Sequence, residues 1–136
     1  MKYLKQITAL LLLSFFIISC DKDNDENPTP VIPELSQKEK VAIFFKAINE
    51  RDVTTLEDLV TEDYIQHNPF IPTGRDAFVG LLTTVLEDNG TQVQNIRVIE
   101  DGNFVAIHNL WTNAAPFGAD TVVSFDILRF DENGKI

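Results

Sequence analysis

His67 and Asn68 stand side by side immediately before Pro69, in the segment Tyr64-Ile-Gln-His-Asn-Pro-Phe-Ile-Pro-Thr-Gly-Arg. An apolar core has no use for an imidazole and an amide placed together, whereas the wall of a pocket does. Further on, strand alternation puts His108 on one face with Phe104, Ala106 and Leu110, and Asp126 on one face with Val122, Ser124, Leu128 and Phe130. Each is a polar group in an otherwise apolar row. Shielded from water, a histidine and a carboxylate can serve as general acid and general base, and an amide or phenol can donate to a developing negative charge. His67, His108 and Asp126 are therefore the candidate catalytic residues, and Tyr64 and Asn68 the candidate binding groups. With a regular hairpin register, His108 and Asp126 are expected to face each other on adjacent strands, about 5 Å apart at Cβ. Structural readings stand beside these: His108 as a satisfied core histidine, Asp126 as a partner of Arg129 or Arg97, and His67-Asn68 as the close of a turn, which asparagine favours. Trp111 points to the other face from His108 and reads as packing.

The elements that must position these groups are legible in the periodicity. Ser36-Gln-Lys-Glu39 is a capping box, and Val41, Phe44, Phe45 and Ile48 recur at helical spacing, which predicts a helix over 37–49. A second, shorter helix is expected over 52–60. Pro69 and Pro72 end the connection that follows it. A third helix is expected over 75–88, stopped by Asn89-Gly90. Strands follow at 93–100, 104–112 and 121–130, the first two joined by a turn at Asp101-Gly-Asn103. Helices first and strands later predict an α+β fold with an antiparallel sheet. Asn133-Gly134 is another hairpin signal with only Lys135 and Ile136 after it. That predicts a domain lacking its last strand. The face carrying Val105, Ile107 and Trp111 suits a homodimer contact, and the same residues suit packing on the helices.

Residues 1–19 read as a secretory signal: Lys2 and Lys5, then an apolar run from Ile7 to Ile18 that is too short to span a bilayer. The run ends in Ile17-Ile-Ser-Cys20, which resembles a lipobox, so Cys20 is the expected lipidation site. As the sole cysteine it has no disulfide partner. Residues 20–35, acidic and proline-rich, read as an extended tether, and residues 36–136 as one domain. Those features predict a cell-envelope protein held to the outer membrane by lipid. The chain carries 11 basic and 21 acidic residues, for a net charge of −10. Without a basic stripe, nucleic acid is not an expected partner. The two histidines and one aspartate lack the spacing of any metal motif, and no cofactor motif occurs.

The order helix, helix, Tyr-x-Gln-His-Asn-Pro, a Gly74-Arg-x-Ala-Phe78 helix, then strands ending in Asp126-Ile-Leu-Arg-x-x-x-Asn-Gly-Lys-Ile136 resembles the SnoaL-like group of the NTF2-like superfamily. The resemblance implies a cone: a curved antiparallel sheet wrapped against helices, with a pocket at the open end. It further implies polyketide-cyclase-like aldol condensation by acid–base groups without metal or organic cofactor. In that group an acidic residue just after Gly-Lys-Ile is central to catalysis, and this sequence stops before that point. The ligand implied is small, mostly apolar and carbonyl-bearing. Enzyme and non-catalytic binding or interaction module both remain open.

Overall fold

The computed structural model describes residues 34–69, 71–86 and 90–136. The signal, the lipobox and most of the tether lie outside them. Three helices precede a three-stranded sheet: α1 (Gln37–Glu50), α2 (Val53–Leu59), α3 (Arg75–Leu81), β1 (Gln92–Asp101), β2 (Phe104–Thr112) and β3 (Thr121–Arg129). The strands are antiparallel in the order β1-β2-β3. This is the α+β arrangement that the pattern predicts.

Helix α1 opens on the capping box. The Glu39 carboxylate accepts from the Ser36 backbone N–H at 2.7 Å, and Glu39 N–H donates to Ser36 Oγ at 3.3 Å. Its stripe of Val41, Phe44, Phe45 and Ile48 is buried against β1 and β2. The inner sheet face meets it with Val93, Val105, Ile107 and Leu128. Asn49 fastens the two layers: its side chain accepts from Val93 N–H and donates to Val93 C=O, both at 2.8 Å. A side-chain amide thus serves as the strand partner that β1 lacks at this point among the described residues.

Two expected elements change form. Helix α3 stays α-helical only to Leu81 and continues as a π-helical turn over Leu82–Leu86. The Thr83 and Thr84 hydroxyls bond back to the carbonyls of Val79 and Gly80, at 3.2 and 2.6 Å. Such back-bonding competes with the regular ladder and loosens it. The expected stop at Asn89 falls outside the described residues. Strand β1 carries a bulge at Ile96: Asn95 pairs with Asn109, and Arg97 with His108. The extra residue reverses the side-chain parity of the strand's first half.

After β3, Asp131 accepts from the backbones of Asn133 and Lys135 at 2.9 and 2.8 Å, closing the turn that Asn133-Gly134 signals. The turn delivers Ile136 to the end of α2. There its N–H donates to Leu59 C=O and its carbonyl accepts from Thr61 N–H.

Of the two readings of the face carrying Val105 and Ile107, packing on the helices is the one observed, so it is not a dimer contact. Val105 and Ile107 have no exposure, and α1 covers them. The opposite face carries Ile99, Val123, Phe125 and Ile127, all more than half exposed. Replacing Asn49 with Ala leaves the Val93 amide and carbonyl half-buried without partners. The expected loss is about 1–3 kcal/mol in urea unfolding, and an unchanged midpoint would remove Asn49 from the fold's supports.

Candidate functional site

Between the inner sheet face and the helices lies an open hollow of about 1460 Å³. That exceeds the usual ligand site of roughly 300–1,000 Å³. The excess has a structural source. Phe125 and Ile127 of the outer face line the space as well as Ser124 and Asp126 of the inner face. The hollow therefore passes around the edge of β3 that has no strand neighbour among the described residues.

Asp126 is the polar centre of the inner part. Ile107 sits opposite it, so Asp126 belongs to the face covered by α1. Two donors converge on one carboxylate oxygen. Asn109 Nδ2–H reaches Asp126 Oδ2 at 2.6 Å and the Ser124 hydroxyl reaches the same atom at 2.8 Å. Behind them, Asn95 Nδ2–H donates to Asn109 Oδ1 at 2.6 Å, and the Trp111 indole N–H to Ser124 Oγ at 3.0 Å. Asn109 is fully buried. A buried amide costs roughly 1–3 kcal/mol unless bonded, and here both of its ends are satisfied. Oδ1 of Asp126 has no hydrogen-bond partner among the described residues.

Tyr64 brings a second polar group to the hollow. Its ring lies against Phe78 (centroids 5.4 Å apart), which stacks on Phe44 at 5.7 Å and 6°. Its carbonyl accepts from Gly74 N–H at 2.9 Å. Gly74, at φ +107, holds a conformation at the start of α3 that side-chain-bearing residues rarely adopt. Gln66 Nε2–H donates to the phenol oxygen at 3.3 Å, while Gln66 Oε1 accepts from Asn68 N–H at 3.0 Å. The Tyr64 O–H has no acceptor among the described residues. Burial, and next the negative charge of Asp126, push the phenol above its ordinary value of 10.0. It is a hydrogen-bond donor throughout the physiological range.

The other sequence candidates fall elsewhere. His67 and Asn68 line the hollow from the α2–α3 connection and are exposed, so they stand at its mouth. The expected His108–Asp126 pair does not form. His108 is opposite Phe125, one residue out of step with Asp126, and therefore on the other sheet face. There its ring stacks on Phe125 at 4.5 Å, and Arg97 Nη1 contacts its Nδ1 at 3.1 Å. Neither Arg97 nor Arg129 bonds Asp126. Trp111 does leave His108's face, as read, but it lines the hollow and bonds Ser124 rather than only packing. Asn109, Ser124 and Gln66 escaped the sequence reading. For Asn109 the signal was present: an amide in the row Val105, Ile107, Trp111. Replacing Asp126 with Asn removes one cause of the Tyr64 elevation, so the phenol is expected to titrate closer to 10.0 when followed by absorbance at 295 nm. The linked stability runs with the same sign. It is complete below the unfolded value and is lost as pH rises through the folded one. An unmoved titration would separate the two groups.

The SnoaL-like domain family model matches residues 41–136, more than half of the chain. No curated protein matches the sequence. An NTF2-like protein of unknown function from Cytophaga hutchinsonii superposes with a TM-score of 0.63 at 13% identity, over 76% of this chain and 86% of that one. IdmH from Streptomyces antibioticus, a candidate polyketide cyclase, gives 0.60 at 16% identity, over 74% and 86%. An epoxide hydrolase of the LEH-like type from M. tuberculosis gives 0.57 at 16%, over 73% and 75%. At these identities the structural likeness speaks for the fold. Together with the family match, it places the chain in the SnoaL-like domain family, with an NTF2-like fold.

Proposed function

We propose that this chain binds a neutral, mostly apolar carbonyl compound in the hollow and removes a proton from the carbon beside the carbonyl. The observation that carries the reading is the half-occupied Asp126 carboxylate in an aromatic-walled hollow that the Tyr64 phenol also lines. Asp126 Oδ1 takes the proton. The C–H electron pair passes to the carbonyl oxygen, and the Tyr64 hydroxyl donates to that oxyanion. The enolate carbon then attacks a second carbonyl of the same molecule. One carbon–carbon bond forms, and the new alkoxide receives a proton back from Asp126. The step is an isomerisation and needs no redox partner. His67 and Asn68 would contact the ligand at the mouth. The likeness to a candidate polyketide cyclase supports the reading at the level of fold.

An apolar ring ketone, 2-tetralone, tests the first step by its α-deuteration in D2O. Wild-type protein is expected to accelerate exchange above buffer. Asp126→Asn should lower the acceleration by roughly 10²–10⁴-fold, and Tyr64→Phe by roughly 10–10³-fold. Binding of the ketone without exchange in wild-type protein would instead favour a ligand-binding module.

The same proposal keeps the chain on the envelope through Cys20, on the strength of the lipobox-like Ile17-Ile-Ser-Cys20. Metabolic labelling with an alkyne fatty acid should mark the wild-type chain and leave Cys20→Ser dark; label on both would remove the anchor. A second copy would cover the apolar outer face at Phe125 and Ile127. Sedimentation of the Cys20→Ser chain should then show twice the chain mass, which Phe125→Glu halves. A single-copy mass before that substitution would contradict the dimer.

A further inference from the structure

Asp126 could accept hydrogen bonds on either oxygen, yet both of its donors go to Oδ2. The donors are themselves aimed. Asn109 has two orientations of its amide, and only one places N–H toward a carboxylate. The other would set Oδ1 against Oδ2, two acceptors in contact. Asn95 fixes the productive orientation by donating to Asn109 Oδ1. Ser124 has one proton, and the Trp111 N–H occupies its oxygen from the other side, so that proton goes to Asp126. The arrangement draws on all three strands: Asn95 from β1, Asn109 and Trp111 from β2, Ser124 and Asp126 from β3.

The bulge at Ile96 is what brings Asn95 in. Val98 pairs with Ile107 on the inner face. Continued regular alternation would turn residues 96 and 94 inward and Asn95 outward. The extra residue reverses that parity and sets Asn95 opposite Asn109. Ile96 is left on the surface, 42% exposed. A bulge that exposes an isoleucine and seats an amide behind a carboxylate is a costly choice for packing alone.

We propose that Asn109 and Ser124, with Asn95 and Trp111 behind them, are positioning residues that hold Asp126 Oδ2 and present Oδ1 alone to the ligand. The inference rests on the reading of Asp126 as the group that meets the ligand, and it names what sets that group's direction. A ligand atom that gives up or shares a proton has one oxygen of Asp126 to meet, in the hollow that Tyr64 also lines.

The test compares two probes of the same shape. 2-Naphthol carries an O–H donor that can meet Oδ1; naphthalene does not. Equilibrium dialysis against the whole domain is expected to give a preference for 2-naphthol of about tenfold or more, the size of one hydrogen bond to a charged group. Ser124→Ala and Asn109→Leu should each reduce that preference to about threefold or less while naphthalene binding holds. Ser124→Thr, which keeps the hydroxyl, should retain it. Equal weakening of both probes, or an unchanged preference, would assign these residues to packing only and overturn the inference. No preference in wild-type protein would overturn it too, because Oδ1 would not be presented. If Asn109→Leu fails to fold, Ser124→Ala and its threonine rescue decide alone. The deuteration assay is separate. A probe preference that collapses as expected, in a protein that exchanges no α-proton, would defeat the enzymatic reading and leave the positioning intact.

Discussion

Ile107 faces Asp126 across the β2–β3 ladder, and both side chains point into the layer beneath α1. Much of the chemistry follows from that pairing. Side chains alternate along a strand, so a slip of one residue exchanges the faces completely. In the register observed, Val105, Ile107 and Leu128 are buried under α1, and burial of such side chains is worth about 1.5–3 kcal/mol each. The slipped register would put Asp126 in solvent and Phe125 and Ile127 inside. Packing of a few aliphatic residues in the core thereby decides that Asp126, and not a neighbour one residue away, belongs to the inner face.

Holding a carboxylate in such a layer requires compensation, because the apolar wall offers none. The compensation is a connected set rather than a single contact. Trp111, Ser124, Asp126, Asn109 and Asn95 form an unbroken run of hydrogen bonds through the sheet. Opposite, the rings of Phe44, Phe78 and Tyr64 lean on one another and carry the phenol to the same space. The two halves have different supports. One is polar and built on strands; the other is aromatic and built on α1, α3 and the loop before α3. They meet only across the hollow, so a ligand that bridges them reads both.

Much of this was legible in the residues. The capping box, the stripe of α1, the strand bounds and the turn at Asn133-Gly134 are local signals, and local physics produces them. The partition of β2 and β3 into two faces was also readable: His108 with Ala106 and Leu110, Asp126 with Ser124 and Leu128. Which face would be interior was not, because both rows of β3 are apolar: Val123, Phe125 and Ile127 compete with Val122, Leu128 and Phe130. The misplaced pairing of His108 with Asp126 follows from that ambiguity. The bulge at Ile96 has no sequence signature such as glycine, and so Asn95 could not be placed. Tyr64 was nominated from its neighbours, while the role of Gln66 depends on a loop conformation that only the folded chain displays.

A crystal structure of the domain with 2-tetralone bound would examine the central claim most directly. The account puts the ketone oxygen at the Tyr64 hydroxyl and an α-carbon against Asp126 Oδ1, with Oδ2 still held by Asn109 and Ser124. A ketone lodged on the outer face beside His108 and Phe125, or one lying in the hollow with its oxygen turned away from Tyr64, would contradict it.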